Sequence, residues 1–438
     1  MSATLEQGVT WTNWGGSVSC TPAHVAKPLT VAEVQHVVVS ARERGLTVKP
    51  IGAGHSFSAI GATDGIRIDL SNLSGIIAVE GNLVTLWGGT FLHQLPELLR
   101  PHNLALANMG DIDRQTISGA TSTGTHGTGG TFGGIATQIR AVTLVTADGE
   151  LLTVDQTQNA HLLPAVALGL GALGVVVEVT IECVPSFLLR AVERPENIDA
   201  VLDTFRVRVE EVDHFEFYWF PHTDIALTKT NTRIPAPAEP QPLGRVRRWI
   251  DDELMSNTLY AGVVNTGRAL PRFVPPINRL AARLTGNRDY TDHSYAVFTA
   301  PRRVRFVEME YALPIDEVPA ALREVRALIN GRGWNISFPI EVRAAAPDDL
   351  MLSTASGRPT GYIAVHRYYR ENHEEYFRGV ESVMKRHDGR PHWGKMHYRD
   401  AESLRGAYPR FDEFAAVRDQ LDPTRLFAND YLTRVLGA

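Results

Sequence analysis

Apolar positions near the N-terminus first follow the period of a helix and then that of a strand. One helical face is formed by Val34, Val37, Val38 and Ala41. Thr30 and Glu33 stand at the spacing of a capping box, and Gly45 fits the position just beyond the last helical turn. The apolar stretch 46–51 predicts a strand that runs directly into the glycine-rich loop 52–56.

The rest of the chain divides into a first part of alternating short elements and a later part rich in strands. The first ~185 residues are dense in Gly, Val, Ile and Thr, a composition that predicts short strands and helices. Apolar runs with strand character follow at 305–313, 334–343 and 361–369, and a last helix is predicted over 411–421. Because 438 residues exceed what one hydrophobic core usually supports, we expect at least two domains, the second based on a sheet.

Composition narrows the function classes. The 43 basic and 49 acidic residues give a net charge of −6 with no dense basic block, so we expect no nucleic-acid partner. The two cysteines have no zinc-type spacing, the 15 histidines form no HExxH motif, and we expect no metal. The most apolar stretch, 165–184, contains Glu178 and Glu182, which argues against a membrane span. The N-terminus lacks the pattern of a signal peptide, so we expect a cytoplasmic protein.

The loop Gly52-Ala53-Gly54-His55-Ser56 is the first candidate site. Phe57 stands where a dinucleotide fingerprint needs its third small residue, and Ser58 stands where a nucleophile elbow needs glycine. Two interpretations stay open. The loop is either a tight turn with an incidental histidine or a place where backbone N–H groups approach a diphosphate.

A second candidate is the run 117–130, ISGATSTGTHGTGG, which is rich in glycine and hydroxyl side chains. Such a run buries little apolar area, so it is either a flexible linker or a close wrap around a large polar ligand. Its place inside a Val- and Ile-rich region favours the ligand. The turn 169–174, followed by the apolar run 175–179, adds another point of close approach.

The later part of the chain contributes two further candidates. Strand alternation puts Glu341 and Arg343 on the same face, about 7 Å apart, where they form either a binding pair or a solvent-facing ion pair. The segment 389–397, GRPHWGKMH, imitates a phosphate-binding loop, but Met396 replaces the required Ser or Thr. Its cluster of His, Trp and Lys indicates a site of another kind.

Together these segments resemble the vanillyl-alcohol-oxidase type of FAD enzymes, in the branch of sugar-lactone and alditol oxidases. The resemblance rests on the GxGHS loop, the ISGATSTGTHG run, the GALGVV turn, the E-x-R pair, the HWGK motif and the tail F-x-N-x-Y at 427–431. It implies an α+β fold in which a two-subdomain FAD-binding domain (1–185) is covered by a cap domain with an antiparallel sheet (186–400). Residues 401–438 then return to the FAD-binding domain.

The resemblance also implies roles for individual residues. It makes His55 the covalent attachment point of the flavin 8α-methyl group. The cofactor-binding residues that it implies are Pro50, Ile51, Gly52, Ala53, Gly54, His55, Ser56, Gly110, Asp111, Thr116, Gly119, Thr123, Gly124, Thr125, His126, Val176 and Lys395. The catalytic residues that it implies are Glu341, Arg343, Lys395, His366 and Tyr368.

The implied reaction is oxidation of a sugar-lactone hydroxyl, of the L-gulono-1,4-lactone or D-arabinono-1,4-lactone type, by hydride transfer to flavin N5. Arg343 and Lys395 are expected to stabilise negative charge, and either a neutral Lys395 or His366 is expected to take the proton. Gly110 leaves room for dioxygen as acceptor, although another carrier stays open. Alditol oxidases tend to have Ser where Asp111 stands, which favours a lactone over a polyol. A non-catalytic carbohydrate-binding protein is the alternative from another class.

Overall fold

A computed structural model of the chain describes residues 5–235, 238–244, 260–284, 286–300 and 302–438. Helices and strands are mixed along the whole length, in agreement with the predicted α+β class. The α-helices are Val31–Glu43, Leu95–Leu99, Ile117–Ser122, Leu163–Val166, Ile198–Glu211, Tyr260–Ala269, Val274–Leu284, Ser294–Phe298, Val318–Arg332, Glu374–Arg386, Ala401–Arg405, Phe411–Leu421 and Asp430–Leu436.

Two sheets organise the N-terminal part. A four-stranded sheet has the spatial order Leu5–Gln7, His24–Ala26, Ile66–Asp69 and Val48–Ile51, with its last three strands parallel. An antiparallel five-stranded sheet has the order Leu151–Val154, Ile139–Val145, Val175–Glu182, Leu83–Trp87 and Ile76–Glu80. Two small ribbons pair Trp11–Thr12 with Ser19–Cys20 and Leu104–Ala105 with Val184–Pro185.

The later part of the chain is built on one antiparallel eight-stranded sheet, as the resemblance implied for the cap. Its spatial order is Arg288–His293, Leu188–Asn197, Ile225–Ile234, His214–Trp219, Ile340–Ala345, Thr360–Tyr368, Phe306–Pro314 and Arg390–Pro391. One face of this sheet packs against the helices Ile198–Glu211, Val318–Arg332 and Glu374–Arg386 in a single apolar core. We call this the helix face and the opposite one the site face.

The C-terminal helices leave the large sheet and pack with the N-terminal part. Leu404, Phe411, Phe414 and Tyr431 belong to the same apolar core as Val84 of the five-stranded sheet. Asn429 Nδ2 also donates hydrogen bonds to the carbonyls of residues 59, 60 and 62. On this basis we propose domain boundaries near residues 185 and 400.

The predicted elements are close to the observed ones, and the differences have local causes. Thr30 caps its helix, Gly45 has φ +65°, and the N–H of Leu46 bonds back to the helix, so the next strand begins only at Val48. Pro339 has no N–H to give to a sheet, and the strand predicted over 334–343 begins directly after it, at Ile340. The predicted helix 411–421 is confirmed.

Candidate active site

A cleft that is open to solvent lies in the N-terminal part of the chain. The predicted cofactor residues that line it are Pro50, Ile51, Gly52, Ala53, Gly54, His55, Ser56, Thr116, Gly119, Thr123 and Val176. Segments far apart in sequence therefore converge on one cavity. Part of the run 117–130 is a capped helix, Ile117–Ser122, whose residues Ser118, Gly119 and Ser122 face the cleft.

The loop 52–56 has the form expected of a diphosphate cradle. A Cβ on Gly52 would lie 2.4 Å from Thr116 Oγ1, and Gly54 has φ +71°, so both positions require glycine. The N–H groups of residues 53–56 donate to no other group in the part of the chain that the structure describes. Free amides in a glycine loop beside a cavity suit the oxygens of a diphosphate.

His55 lies at the end of this loop, beside the large sheet. Burial, together with the positive charges of Lys395 and Arg114, lowers the pKa of its imidazole to about 4. The ring is therefore neutral at physiological pH. Trp14 stacks on it with ring centroids 5.5 Å apart.

The site face of the large sheet holds a dense group of buried charges around Arg343. Its guanidinium pairs with Glu341 on the same strand, with Glu216 on the neighbouring strand (Nε–Oε2 3.2 Å) and with Asp111 (Nη2–Oδ1 3.2 Å). Glu216 is also paired with Lys229, with a nitrogen–oxygen distance of 3.3 Å. The predicted E-x-R pair is thus buried, and the solvent-facing alternative does not apply.

Three acidic side chains contact Arg343, and their pKa values are shifted in different directions. Burial, with the neighbouring charges of Asp111 and Glu216, raises the pKa of Glu341 to about 8 despite the contact with Arg343. Burial acts on Asp111 in the same direction, but Arg343 and Arg302 outweigh it and lower its pKa. Glu341 therefore keeps a proton at neutral pH, and its Oε1 accepts a hydrogen bond from the Tyr218 hydroxyl at 2.9 Å.

Lys395, from the HWGK segment, is held by a carboxylate that the sequence analysis did not single out. Its Nζ lies 2.5 Å from Glu308 Oε2 on the strand Phe306–Pro314. Burial lowers the pKa of this ammonium, but Glu308 and Glu310 outweigh burial and raise it. Lys395 is therefore a cation, and a neutral Lys395 acting as a base is not supported.

His366 lies opposite Glu308 on the neighbouring strand. Its Nε2 is 3.7 Å from Glu308 Oε1, and its Nδ1 is 3.2 Å from the Pro339 carbonyl. Because a carbonyl only accepts, Nδ1 carries the proton in the neutral ring and Nε2 keeps its lone pair. Burial, with the charge of Lys395, lowers the pKa of His366. A neutral base therefore lies beside a fixed cation.

The later residues of the run 117–130 lie beyond the cleft, against the site face. His126 is buried, stacks on Tyr362 with centroids 3.7 Å apart, and lies 3.3 Å from Glu310. His392 joins them within 4.8 Å, a group that could hold a metal ion by distance. Its two ring nitrogens already have protein partners, namely the Gly124 carbonyl and the Gly394 N–H. This group links the run 117–130 to the HWGK segment.

The other predicted residues take varied positions. Thr125 bonds to Gln115, and Gly110 packs against the backbone of His126. The Tyr368 hydroxyl bonds to Asn265, not to the charged group around Arg343.

Four residues of this site were not predicted from the sequence, namely Trp14, Glu216, Glu308 and Glu310. The last two alternate within the apolar run 305–313, which was the available signal.

Comparison with known proteins identifies two regions. A family model for D-arabinono-1,4-lactone oxidase matches residues 179–435, and a model for an FAD-binding domain matches residues 22–155. L-gulono-1,4-lactone dehydrogenase of Mycobacterium tuberculosis is 43% identical over 98% of this chain and 99% of its own length. L-gulonolactone oxidase of Mus musculus is 33% identical over 98% of both chains.

Solved structures with the same fold include cholesterol oxidase from Brevibacterium sterolicum. Its TM-score is 0.81, with 19% identity and coverage of 99% of this chain and 97% of that one. A solvent-stable cholesterol oxidase gives a TM-score of 0.82 at 17% identity, covering 99% of this chain and 98% of that one. At this identity the likeness concerns the fold alone. Within the described residues, no helix is both long and apolar enough to cross a membrane.

Proposed function

The chain belongs to the family of FAD-dependent aldonolactone oxidases and dehydrogenases, and on this premise we propose that it oxidises a hydroxyl group of a sugar 1,4-lactone. One observation carries the proposal. The loop 52–56, which we propose for the diphosphate, contains His55, and the positive charge of Lys395 acts on the His55 imidazole. Lys395 in turn lies among the buried ionisable groups of the site face. The proposed cofactor site thus lies next to a set of side chains that can accept or donate a proton.

The residues of the cleft fit FAD. The loop 52–56 offers free amides and glycines for the diphosphate, and the predicted cofactor-binding residue Val176 lines the same cavity as Thr123 and His55. When bound, FAD supplies a two-electron acceptor that takes hydride from a carbinol carbon. The chain has to hold the substrate, remove its hydroxyl proton and stabilise the resulting charge.

We assign the removal of the substrate hydroxyl proton to His366. Its lone pair at Nε2 is free to accept, and it becomes an imidazolium beside the Glu308 carboxylate, 3.7 Å away. Lys395 and Arg343, as fixed cations, stabilise the negative charge that develops on the substrate oxygen. Glu341, which keeps its proton, donates a hydrogen bond to a second oxygen of the lactone.

We propose His55 as the site of covalent attachment. The neutral imidazole of His55 would supply the nitrogen lone pair for a bond to the 8α carbon of the flavin. Formation of that bond would release one proton from the carbon, one proton from the imidazole and two electrons, which an acceptor such as dioxygen would take up. A low pKa supports this role because only neutral imidazole is a nucleophile.

The electron acceptor in turnover is dioxygen or another carrier. A Cβ on Gly110 would lie 3.1 Å from the His126 carbonyl oxygen, so this position has little space for a side chain. The expectation that Gly110 leaves room for dioxygen stays a prediction.

The lactone assignment is tested by anaerobic mixing of the purified yellow protein with L-gulono-1,4-lactone, D-arabinono-1,4-lactone and xylitol. We expect both or one of the lactones to bleach the flavin absorbance at least tenfold faster than xylitol. Bleaching by xylitol alone would favour the alditol oxidase, and no bleaching by any of the three would overturn the proposal. Admitting air afterwards identifies the acceptor, since prompt return of the colour requires dioxygen.

Covalent attachment is tested by acid precipitation. We expect the yellow colour to stay with the precipitated wild-type protein and to be released from His55→Ala. Colour released from the wild type would refute the bond without affecting the lactone assignment.

A further inference from the structure

The loop that contains His55 is held by hydrogen bonds from the first ribbon of the chain. We call residues 11–20, which form this ribbon and its turn, the N-terminal hairpin. The backbone N–H of Trp14 donates to the Gly54 carbonyl at 2.8 Å, and Asn13 Nδ2 donates to the Ser56 carbonyl at 2.9 Å. Two consecutive hairpin residues thus fix the carbonyls on both sides of His55.

The side chain of Trp14 also contacts the His55 imidazole directly. The indole and the His55 ring are stacked, with centroids 5.5 Å apart and planes inclined by 23°. On its other side the indole meets the edge of Phe306, from the large sheet, with centroids 5.2 Å apart. Trp14 therefore lies between the histidine and the cap and contacts both.

The loop is held from the opposite side as well. The N–H of Phe57 donates to the Gly394 carbonyl at 2.7 Å, and Ser58 Oγ donates to the Trp393 carbonyl at 2.8 Å. Under Gly54, the Trp11 indole leaves no space for a Cβ, which would lie 2.9 Å away. The backbone in and next to the loop is thus held by these four hydrogen bonds and by the Trp11 indole, and the remaining freedom is rotation of the His55 side chain.

We infer that Trp14 is a positioning residue that holds the His55 imidazole in the orientation needed to bond the flavin. The inference rests on the covalent attachment proposed above. A nitrogen nucleophile reacts only when its lone pair points at the carbon, and a misaligned group loses about 100-fold in rate. Hydrogen bonds fix the loop backbone, whereas the stacked indole is the contact that fixes the ring.

The test measures covalent flavin and not turnover. Wild type, Trp14→Ala, Trp14→Leu and Trp14→Phe are purified with excess FAD and precipitated with acid, and the flavin in pellet and supernatant is quantified. Trp334→Ala is the matched control, because Trp334 packs with Tyr376 under the helix face, away from the loop. Thermal midpoints of all five proteins separate a loss of stability from a loss of attachment.

We expect Trp14→Ala and Trp14→Leu to bind flavin but to release most of it into the acid supernatant. Trp14→Phe keeps a stacking ring and should recover most of the covalent fraction, and Trp334→Ala should match the wild type even where its midpoint falls. A wild-type covalent fraction in Trp14→Leu would overturn the inference, whether or not the alanine variant folds. If the wild type itself releases its flavin, both the bond and this inference fail, while the lactone assignment stands.

Discussion

The two faces of the eight-stranded sheet are made by the same strands and have opposite chemistry. On the strand His214–Trp219, Phe217 is fully buried under the helices, while its neighbour Glu216 lies on the site face with Arg343. On the strand Phe306–Pro314, Met309 is in the apolar core and Glu308 holds Lys395. One step along a strand therefore moves a side chain from the core to the candidate active site.

The helix face of the sheet therefore contributes stability, and the site face contributes the groups for chemistry. Burial of apolar area on the helix face stabilises the fold by about 25 cal/mol per Å². Burial of charges on the site face costs desolvation that ion pairs only partly offset. A group of buried charges this dense is therefore maintained for its function, and substitutions on the two faces should differ in kind.

The largest effect is expected from Arg343→Ala on the site face. It removes the cation that three acidic side chains contact, and loss of one such stabilising group lowers the rate about 10²- to 10³-fold. Stopped-flow measurement of flavin bleaching by the lactone checks this, with flavin content determined in parallel. Arg323→Ala, which removes an exposed ion pair on a covering helix, is the control. Bleaching within a few-fold of the wild-type rate would exclude Arg343 from the chemistry.

On the helix face, Phe217→Ala should do the reverse. Removing this fully buried ring costs about 3–5 kcal/mol of unfolding free energy through lost burial and a cavity. The rate of flavin bleaching per bound flavin should stay within about threefold, because no part of the ring faces the site. Thermal midpoint and bleaching rate are measured on the same sample. A large loss of rate at normal stability would mean that the two faces are not separate.

This contrast also explains how much the sequence could reveal. Strand alternation alone predicted that Glu341 and Arg343 share a face, because that inference needs only local periodicity. Glu308 and Glu310 obey the same alternation, but their partners Lys395 and His126 lie 87 and 184 residues away along the chain. Trp14 belongs to no periodic pattern at all. Whether Lys395 is a base or a cation depends on Glu308, so only the fold could decide it.

A smaller effect, about 10²-fold, is expected for His366→Ala if His366 takes the substrate proton. Since its pKa is lowered from 6.5, the wild-type bleaching rate should fall only on acidification below that value. Glu308 raises this pKa, so Glu308→Gln should move the acid limb to still lower pH. A pH profile of the bleaching rate checks both, and added imidazole should partly restore the alanine variant. An unchanged acid limb in the His366 variant would assign the proton to another group.

The smallest effect concerns the proton on Glu341 and the stability of the site face. Its folded pKa of about 8 lies above the ordinary value of 4.5, so the folded state holds this proton after the unfolded state has lost it. Stability from this group is therefore complete below pH 4.5 and is lost as the pH rises toward 8. Glu341→Gln has no such proton, so its thermal midpoint relative to the wild type should rise steadily from pH 5 to pH 8. A difference that does not change with pH would show that Glu341 is ionised beside Arg343, and that its second oxygen cannot donate to a substrate.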